Sequence, residues 1–418
     1  MKKVLVIGGG GREHAIVDAI SRSPQKPQIF CAPGNAGIAL QATCVPIKDN
    51  DVEGLLKFAR EEGIDLTVVG PEAALAAGVV DAFRAAGMKI FGHTKAATRI
   101  ESSKEFAKEI MAKYDVPTAA YKSFSDYDEA LLYVKARPFP AVLKYDGLAA
   151  GKGVVIAADL EEADEALKDM LLDCRFGQGR VVVEDYLEGP EFSFMCFVDG
   201  ERVYPMPLAQ DHKRAFDGDK GPNTGGMGAY TGLPFITPED EEFAFREVLC
   251  KTARGMVSEG CPLSGVLYGG LMKTAQGVKV IEFNARFGDP ETEVVLPLIQ
   301  SDILDLFESV ADSVPAADPV WGKDQVTMGV VMASKGYPGS YDKGFVIEGL
   351  DKVKGHVYHM GTKVEDGTVK TAGGRVLMVV SKADTISGAR DAVYADVEGI
   401  KCDNLFYRND IAHWALEK

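Results

Sequence analysis

The run Lys279-Val280-Ile281-Glu282-Phe283-Asn284 carries a carboxylate and an amide at alternate positions. Side chains alternate across a strand, so Glu282 and Asn284 share one face while Phe283 packs behind. Two oxygen ligands on one rigid strand suit Mg²⁺ bridging nucleotide phosphates. A transition metal would want His or Cys, and neither is near in sequence. Arg286 follows, a bidentate clamp for phosphate or carboxylate. The exposed face of an antiparallel sheet would give the same letters. The adjoining Arg286 and Gly288-Asp289-Pro290 turn weigh against that blander reading.

A second cluster is the loop Gly147-Leu148-Ala149-Ala150-Gly151-Lys152-Gly153. It has three residues between its first two glycines, Gly153 after the lysine and a strand next, so it is not a P-loop. A glycine loop between antiparallel strands can still fold over triphosphate oxygens as a lid. Lys144, on the strand before it, can reach an α-phosphate; taken alone, it reads as a solvated surface lysine.

The polar stretch from Gln210 to Tyr230 reads as a long functional loop. Asp211, Lys213 and Arg214 precede Asn223-Thr224-Gly225-Gly226, whose small backbone and hydroxyl suit a substrate carboxylate or ribose. Lys213 and Arg214 can meet a transferring phosphate; His212 alone reads as structural. Gly8–Gly11 lies between a strand and a helix, where free amides favour a phosphate. A dinucleotide fingerprint fails there. Glu13 or His14 stands at the third glycine position, and the second strand ends in Cys31-Ala32-Pro33 without an acid for the ribose. A turn with no ligand remains the alternative. His356-x-x-His359 has metal-like spacing, but residues three apart on a strand face opposite sides.

The elements that position these groups follow from periodicity. Short apolar strands Val4–Ile7, Gln28–Cys31, Leu66–Val69 and Lys89–Phe91 alternate with helices Arg12–Ser21, Val52–Glu62 and Val79–Ala86. That pattern predicts a doubly wound parallel sheet with ligands beyond its carboxyl ends. Ser102-x-x-Glu105 reads as a capping box opening a helix over Lys104–Lys113, closed by Pro117. A small α+β unit follows, with strands Ala141–Lys144, Val154–Ala157 and Val181–Glu184 and a helix Leu160–Leu172. Then come a hairpin, Val266–Lys273 and Val278–Asn284, a Pro315–Pro319 linker, and a strand-rich end with one helix, Ile386–Glu398.

The 418 residues allow two to four domains. A net charge of −16 argues against nucleic acid as the main partner. Seven cysteines, odd in number and without a C-x-x-C pair, predict reduced thiols. The apolar run after Met1-Lys2-Lys3 is too short for a signal peptide, and no stretch approaches the ~20 apolar residues of a membrane helix. The expectation is a cytoplasmic protein with no membrane or nucleic-acid partner.

Together these segments resemble the phosphoribosylamine–glycine ligases of the ATP-grasp superfamily over essentially the whole chain. Gly221–Tyr230 and Ile281–Glu291 are the most specific runs, beside Val6–His14, Ala32–Gly37, Val69–Glu72, Ser103–Phe106, Asp146–Val154, Gln210–Arg214 and Gly373–Leu377. The resemblance implies an α/β and α+β multidomain fold. Its expected parts are a Rossmann-like doubly wound substrate domain (1–103), a mobile ATP-grasp lid (121–188), a central ATP-grasp domain (104–120 and 189–325) and a small strand-rich C-terminal domain (326–418). It implies ATP as a substrate, Mg²⁺ or Mn²⁺ on Glu282 and Asn284, and glycine and phosphoribosylamine as the other substrates, in a monomer or weak homo-oligomer. Lys104 and Lys144 look like the phosphate-facing lysines, with Gly151, Lys152 and Gly153 on the loop above. Glu184 and Leu187 look like the adenine contact, and Glu191 like the ribose contact. Gly10, Gly11, Glu13, Asn35, Glu72, Asp211, Asn223, Thr224, Gly225, Arg286, Asp289 and Glu291 fall where the family holds phosphoribosylamine and glycine. Lys144, Lys213 and Arg286 look catalytic. Tyr145 and Ser103 stand near the nucleotide, where the family usually has Ala and Gly. Another ATP-grasp carboxylate–amine ligase, or a non-catalytic ATP sensor on the same fold, is the competing reading.

Overall fold

The structure, a computed structural model, describes residues 1–147, 153–175 and 177–416. Five parallel strands form the N-terminal sheet, in the spatial order Thr43–Cys44, Gln28–Pro33, Lys3–Gly8, Leu66–Val69, Ile90–Phe91. Val4 to Ile7 are fully buried, as continuous apolar strands covered on both faces must be. The carboxyl ends deliver the turns at Gly8–Gly10, Gly34 and Gly70 to one edge. Beyond Gly70 the chain forms a helix that the sequence reading missed, Glu72–Ala77, broken at Gly78 (φ +87°) before Val79–Ala85. Six residues give too little periodicity to read, yet this helix aims Glu72.

The next helix, Lys104–Lys113, corrects the expected cap. Ser103, not Ser102, is its N-cap, its hydroxyl accepting from the Phe106 amide; Ser102 ends the preceding helix Arg99–Ser102. The helix stops at Tyr114, three residues before Pro117.

The small unit is a four-stranded antiparallel sheet ordered Tyr121–Phe124, Val181–Asp185, Ala141–Tyr145, Val154–Ala157. The expected helix Leu160–Leu172 is α-helical to Leu167 and widens into a π turn over Lys168–Leu172. Alternation along Ala141–Tyr145 sends Leu143 and Tyr145 into this unit's own core and Lys144 to the opposite side.

The largest sheet has ten strands. From one edge run Gly277–Asn284, Ser264–Thr274, Glu191–Asp199, Ala209–Asp211 and Gly228–Thr231. The sheet continues without a break into Val326–Ser334, Arg375–Ala383 and His356–His359. Gly228 pairs with Val330, so the strand-rich C-terminal segment extends the central sheet across residue 325. One apolar core holds Phe192, Leu249, Met328, Val379 and Val393 together.

The stretch 210–230 is not the loop expected from its polarity. It contains the ends of two central strands and a projecting hairpin, Arg214–Phe216 with Lys220–Asn223. Lys220–Asn223 is exposed throughout. The seven cysteines are free. Among the described residues no helix is long and apolar enough to cross a membrane.

Candidate active site

A cleft of about 880 Å³ opens where the small sheet, the carboxyl edge of the parallel sheet and the central sheet meet. Lys144 projects into it from the small sheet. Its ammonium donates to the Ile281 carbonyl at 2.7 Å and pairs with Glu184 at 3.0 Å. Glu184 is held from the other side by Lys108 at 2.8 Å. Lys108 was missed from the sequence. Its signal was the four-residue spacing from Lys104, which puts both lysines on one helix face. Burial pushes Lys108 down to about 8, against the pull of Glu184. Lys104 donates to the Gly147 carbonyl at 3.0 Å, at the start of the glycine loop. Asp146 accepts from the Glu105 amide at 3.2 Å, tying that loop to the helix N-terminus. Gly153 lines the cleft; Gly151 and Lys152 lie outside the described residues. Tyr145, expected near the nucleotide, packs in the core of the small antiparallel unit, its hydroxyl 3.3 Å from the Gly177 carbonyl.

Glu282 and Asn284 share the cleft face of their strand while Phe283 is buried in the central core. Burial opposes ionisation of Glu282, but Lys213, Lys144, Lys104 and Arg286 together hold its carboxyl below the usual range. Among the described residues the Asn284 Oδ1 accepts from Arg286, at 3.4 Å. An ionised carboxylate and an open amide oxygen fit a hard divalent cation whose remaining ligands are phosphate oxygens and water. The described residues contain no cluster of three His, Cys, Asp or Glu that would hold a metal alone.

Arg286 is the hub of the other end. It contacts Glu72 at 3.5 Å and Glu101 at 3.3 Å. Glu101, also missed, accepts from the Ala285 amide at 2.7 Å and so fixes the turn that aims Arg286. Across the cleft, Lys213 pairs with Glu191 at 2.7 Å. Burial works against its charge, but Glu191, Asp211, Tyr268 and Glu282 hold its pKa well above normal. Glu291 accepts from Ser193 and Tyr268, both at 2.8 Å. Gly225 is gripped from the C-terminal segment: its amide donates to the Tyr337 hydroxyl at 3.0 Å and its carbonyl accepts from Arg375 at 2.6 Å. Arg375 also pairs with Asp289 at 3.0 Å. Neither Tyr337 nor Arg375 carried a role in the sequence reading, because only the continuous sheet brings them here.

Asn223, Thr224, Asp211 and Glu72 line this cleft as expected; Leu187 and Glu191 do not, and Glu191 acts on it through Lys213. Gly10 and Glu13 line a second space of about 400 Å³, which shares Arg12 and Asp289 with the first. Glu13 turns back on its own helix, accepting from the Gly10 amide at 2.7 Å and from Arg12 at 2.6 Å. It fills the space between two turns: a Cβ on Gly8 or Gly70 would fall 2.5 or 2.1 Å from it. Gly11 packs against Glu293 and Met360. Asn35 donates to the Gly9 and His359 carbonyls and accepts from the Gly37 and Ile38 amides, which uses its whole hydrogen-bonding capacity. Gly10 and Glu13 thus line the pocket itself, while Gly11 and Asn35 hold the turns around it.

Comparison with known proteins agrees with this geometry. Family profiles for phosphoribosylglycinamide synthetase match along the chain: the N domain over residues 2–101, the ATP-grasp (A) domain over 102–292 and the C domain over 327–414. The phosphoribosylamine–glycine ligase of Halalkalibacterium halodurans is 51% identical over 417 residues, 99% of this chain and 97% of that protein. The crystal structure of phosphoribosylamine–glycine ligase from Thermotoga maritima superposes with a TM-score of 0.88 at 33% identity, covering 98% of this chain and 100% of the other. The biotin carboxylase domain of a Hydrogenobacter thermophilus 2-oxoglutarate carboxylase, solved with magnesium ADP, shares the fold at a TM-score of 0.73 and 18% identity, covering 97% and 91% of the two chains. On its lysine-lined cleft, its full-length relatives and its fold, this chain belongs to the phosphoribosylamine–glycine ligase family of ATP-grasp enzymes.

Proposed function

We propose that the chain joins glycine to 5-phosphoribosylamine at the expense of ATP, giving glycinamide ribonucleotide, ADP and phosphate in de novo purine biosynthesis. The observation that carries this is the single cleft in which the Lys104–Lys144–Glu282 group faces the Arg286–Asp211–Asn223 group. ATP lies at the first, with Lys104 and Lys144 on its phosphates and Glu184 toward the base. Glycine and phosphoribosylamine lie at the second. A magnesium ion (or manganese) held by Glu282 and Asn284 would neutralise phosphate charge there.

The glycine carboxylate attacks the γ-phosphorus, giving glycyl phosphate and ADP. The amine of phosphoribosylamine then displaces phosphate from the activated carbonyl. The first step has a loose, highly charged transition state, so catalysis is positioning plus charge neutralisation by Lys144, Lys213 and Arg286. The acyl phosphate hydrolyses readily, so the loop between Gly147 and Gly153 serves to exclude water. In this reading residues 1–103 carry the sugar substrate, 121–188 are the lid, 104–120 with 189–325 the catalytic core, and 326–418 complete the substrate wall through Tyr337 and Arg375. The enzyme works in the cytoplasm as a monomer or weak homo-oligomer.

The test is ADP release from Mg²⁺-ATP with and without glycine, and with and without phosphoribosylamine generated in situ from ribose 5-phosphate and ammonia. Strong release only with both substrates is the expected result. Release without glycine, or under no combination, overturns the assignment in favour of another ATP-grasp ligase or a nucleotide sensor.

A further inference from the structure

The amine enters the second step carrying a proton that must leave, and the cleft offers several carboxylates to take it. Most are already engaged. Glu72 and Glu101 pair with Arg286, Glu184 is held by two lysines, Asp289 by Arg375, and Glu291 by Ser193 and Tyr268. Among the described residues, only Asp211 and Glu282 line the cleft without a side-chain donor at hydrogen-bond distance. Glu282 faces four cations and belongs to the metal strand. Asp211 ends the central strand Ala209–Asp211, two residues before Lys213, and lines the same cleft as Asn223, Thr224 and Gly225. Its neighbour His212 is turned away, with Nε2 accepting from the Ala412 amide at 3.2 Å.

We propose that Asp211 is the proton acceptor of amide formation, taking the proton from the phosphoribosylamine nitrogen as that nitrogen attacks the glycyl carbonyl. The inference rests on the ligase reading above. The C–N bond forms, the C–O bond to phosphate breaks, and the bonding pair leaves with inorganic phosphate. The amine proton passes to Asp211 Oδ and then to solvent, so no further reactant is needed.

The electrostatics agree. Burial pushes Asp211 up to about 7, with Glu291 and Glu191 adding to the rise and Lys213 opposing it. Tyr268, whose own pKa is raised well above normal, also faces it as a neutral phenol. Two carboxylates driven in opposite directions by their surroundings divide the work: one stays ionised, the other exchanges a proton near neutral pH.

The experiment uses the full chain, Mg²⁺-ATP, glycine and phosphoribosylamine generated in situ, and compares wild type, Asp211→Asn and Asp211→Glu. Asn keeps the shape of Asp and removes its basicity. Loss of about 10²- to 10⁴-fold in ligation kcat is expected for Asp211→Asn, a larger effect than any rise in the substrate KM values. Glycyl phosphate formation, trapped as the hydroxamate by hydroxylamine with ribose 5-phosphate bound, should fall far less than ligation does. The wild-type to Asn rate ratio should fall about tenfold per pH unit below pH 7, as Asp211 protonates, and Asp211→Glu should keep that limb. A ratio flat across this range, or hydroxamate lost in proportion to ligation, overturns the proposal. Absence of ligation by wild type overturns the ligase reading itself, a separate outcome.

Discussion

Lys144 and Tyr145 are adjacent in sequence and opposite in role, because strand alternation turns one to the cleft and the other to the core of the small antiparallel unit. Lys144→Met should keep the strand and lower turnover at least about 10²-fold, through loss of phosphate charge neutralisation. Unchanged kcat in that variant would remove Lys144 from the mechanism. Tyr145→Ala has the reverse expectation. The ring is 5% exposed, and deleting it should destabilise the lid by about 3 kcal/mol through the cavity left behind. The KM for ATP should stay close to wild type. A large rise in KM with an unshifted lid melting transition would show that the ring acts on the nucleotide.

The hairpin Arg214–Phe216 with Lys220–Asn223 shows how an exposed element can be held still. It is fastened at its turn by the segment around residue 410. Fully buried Arg408 pairs with Asp219 at 3.0 Å and Asp410 at 2.7 Å and donates to the Arg214 carbonyl at 3.1 Å. Asn409 Nδ2 reaches Asp217 at 3.0 Å, and the Gly218 amide donates to Asp410 at 2.7 Å. Asn223 ends this hairpin and lines the cleft. Arg408→Ala leaves two carboxylates without their cation and should cost about 3 kcal/mol of stability. The loosened hairpin should also raise the KM for glycine or phosphoribosylamine more than that for ATP. Equal rises for all three substrates would mean the fastening is purely structural.

At the scale of the whole molecule, four histidines are buried where the sheets and helices meet. His93 bridges the parallel sheet to the central one: its Nδ1 accepts from the Ser264 amide at 2.9 Å and its Nε2 lies 2.8 Å from the Val266 carbonyl. Nδ1 must therefore be unprotonated. Burial lowers His93 and His359 to about 4, and His14 and His212 to about 3. The unfolded chain binds these protons near pH 6.5 and the folded chain does not. Their contribution is thus complete above pH 6.5 and is lost as pH falls toward 4. His93 alone accounts for about 3 kcal/mol over that window. Denaturant midpoints should drop steeply from pH 6.5 to 4.5, and His93→Gln should flatten the slope. An identical slope in that variant would show that His93 is not protonated on unfolding.

The sequence by itself determined the elements whose signals are local. Periodicity located the parallel strands and most helices, alternation put Glu282 and Asn284 on one face, and the glycine and lysine runs pointed to a phosphate-handling site. It misassigned Ser102 as the cap, read the 214–223 hairpin as loop, and carried no sign of the internal hydrogen bonds that Asn35 and Glu13 make. Tertiary structure alone decided which charges are spent on each other. Glu184 between Lys108 and Lys144, Glu101 beneath Arg286, Arg375 across Gly225 and Asp289, and Asp211 facing Glu291 and Glu191 all depend on residues far apart in the chain. Strand and helix patterns are written within a few residues, whereas the field at a buried carboxylate is set by whichever distant side chains the fold brings beside it.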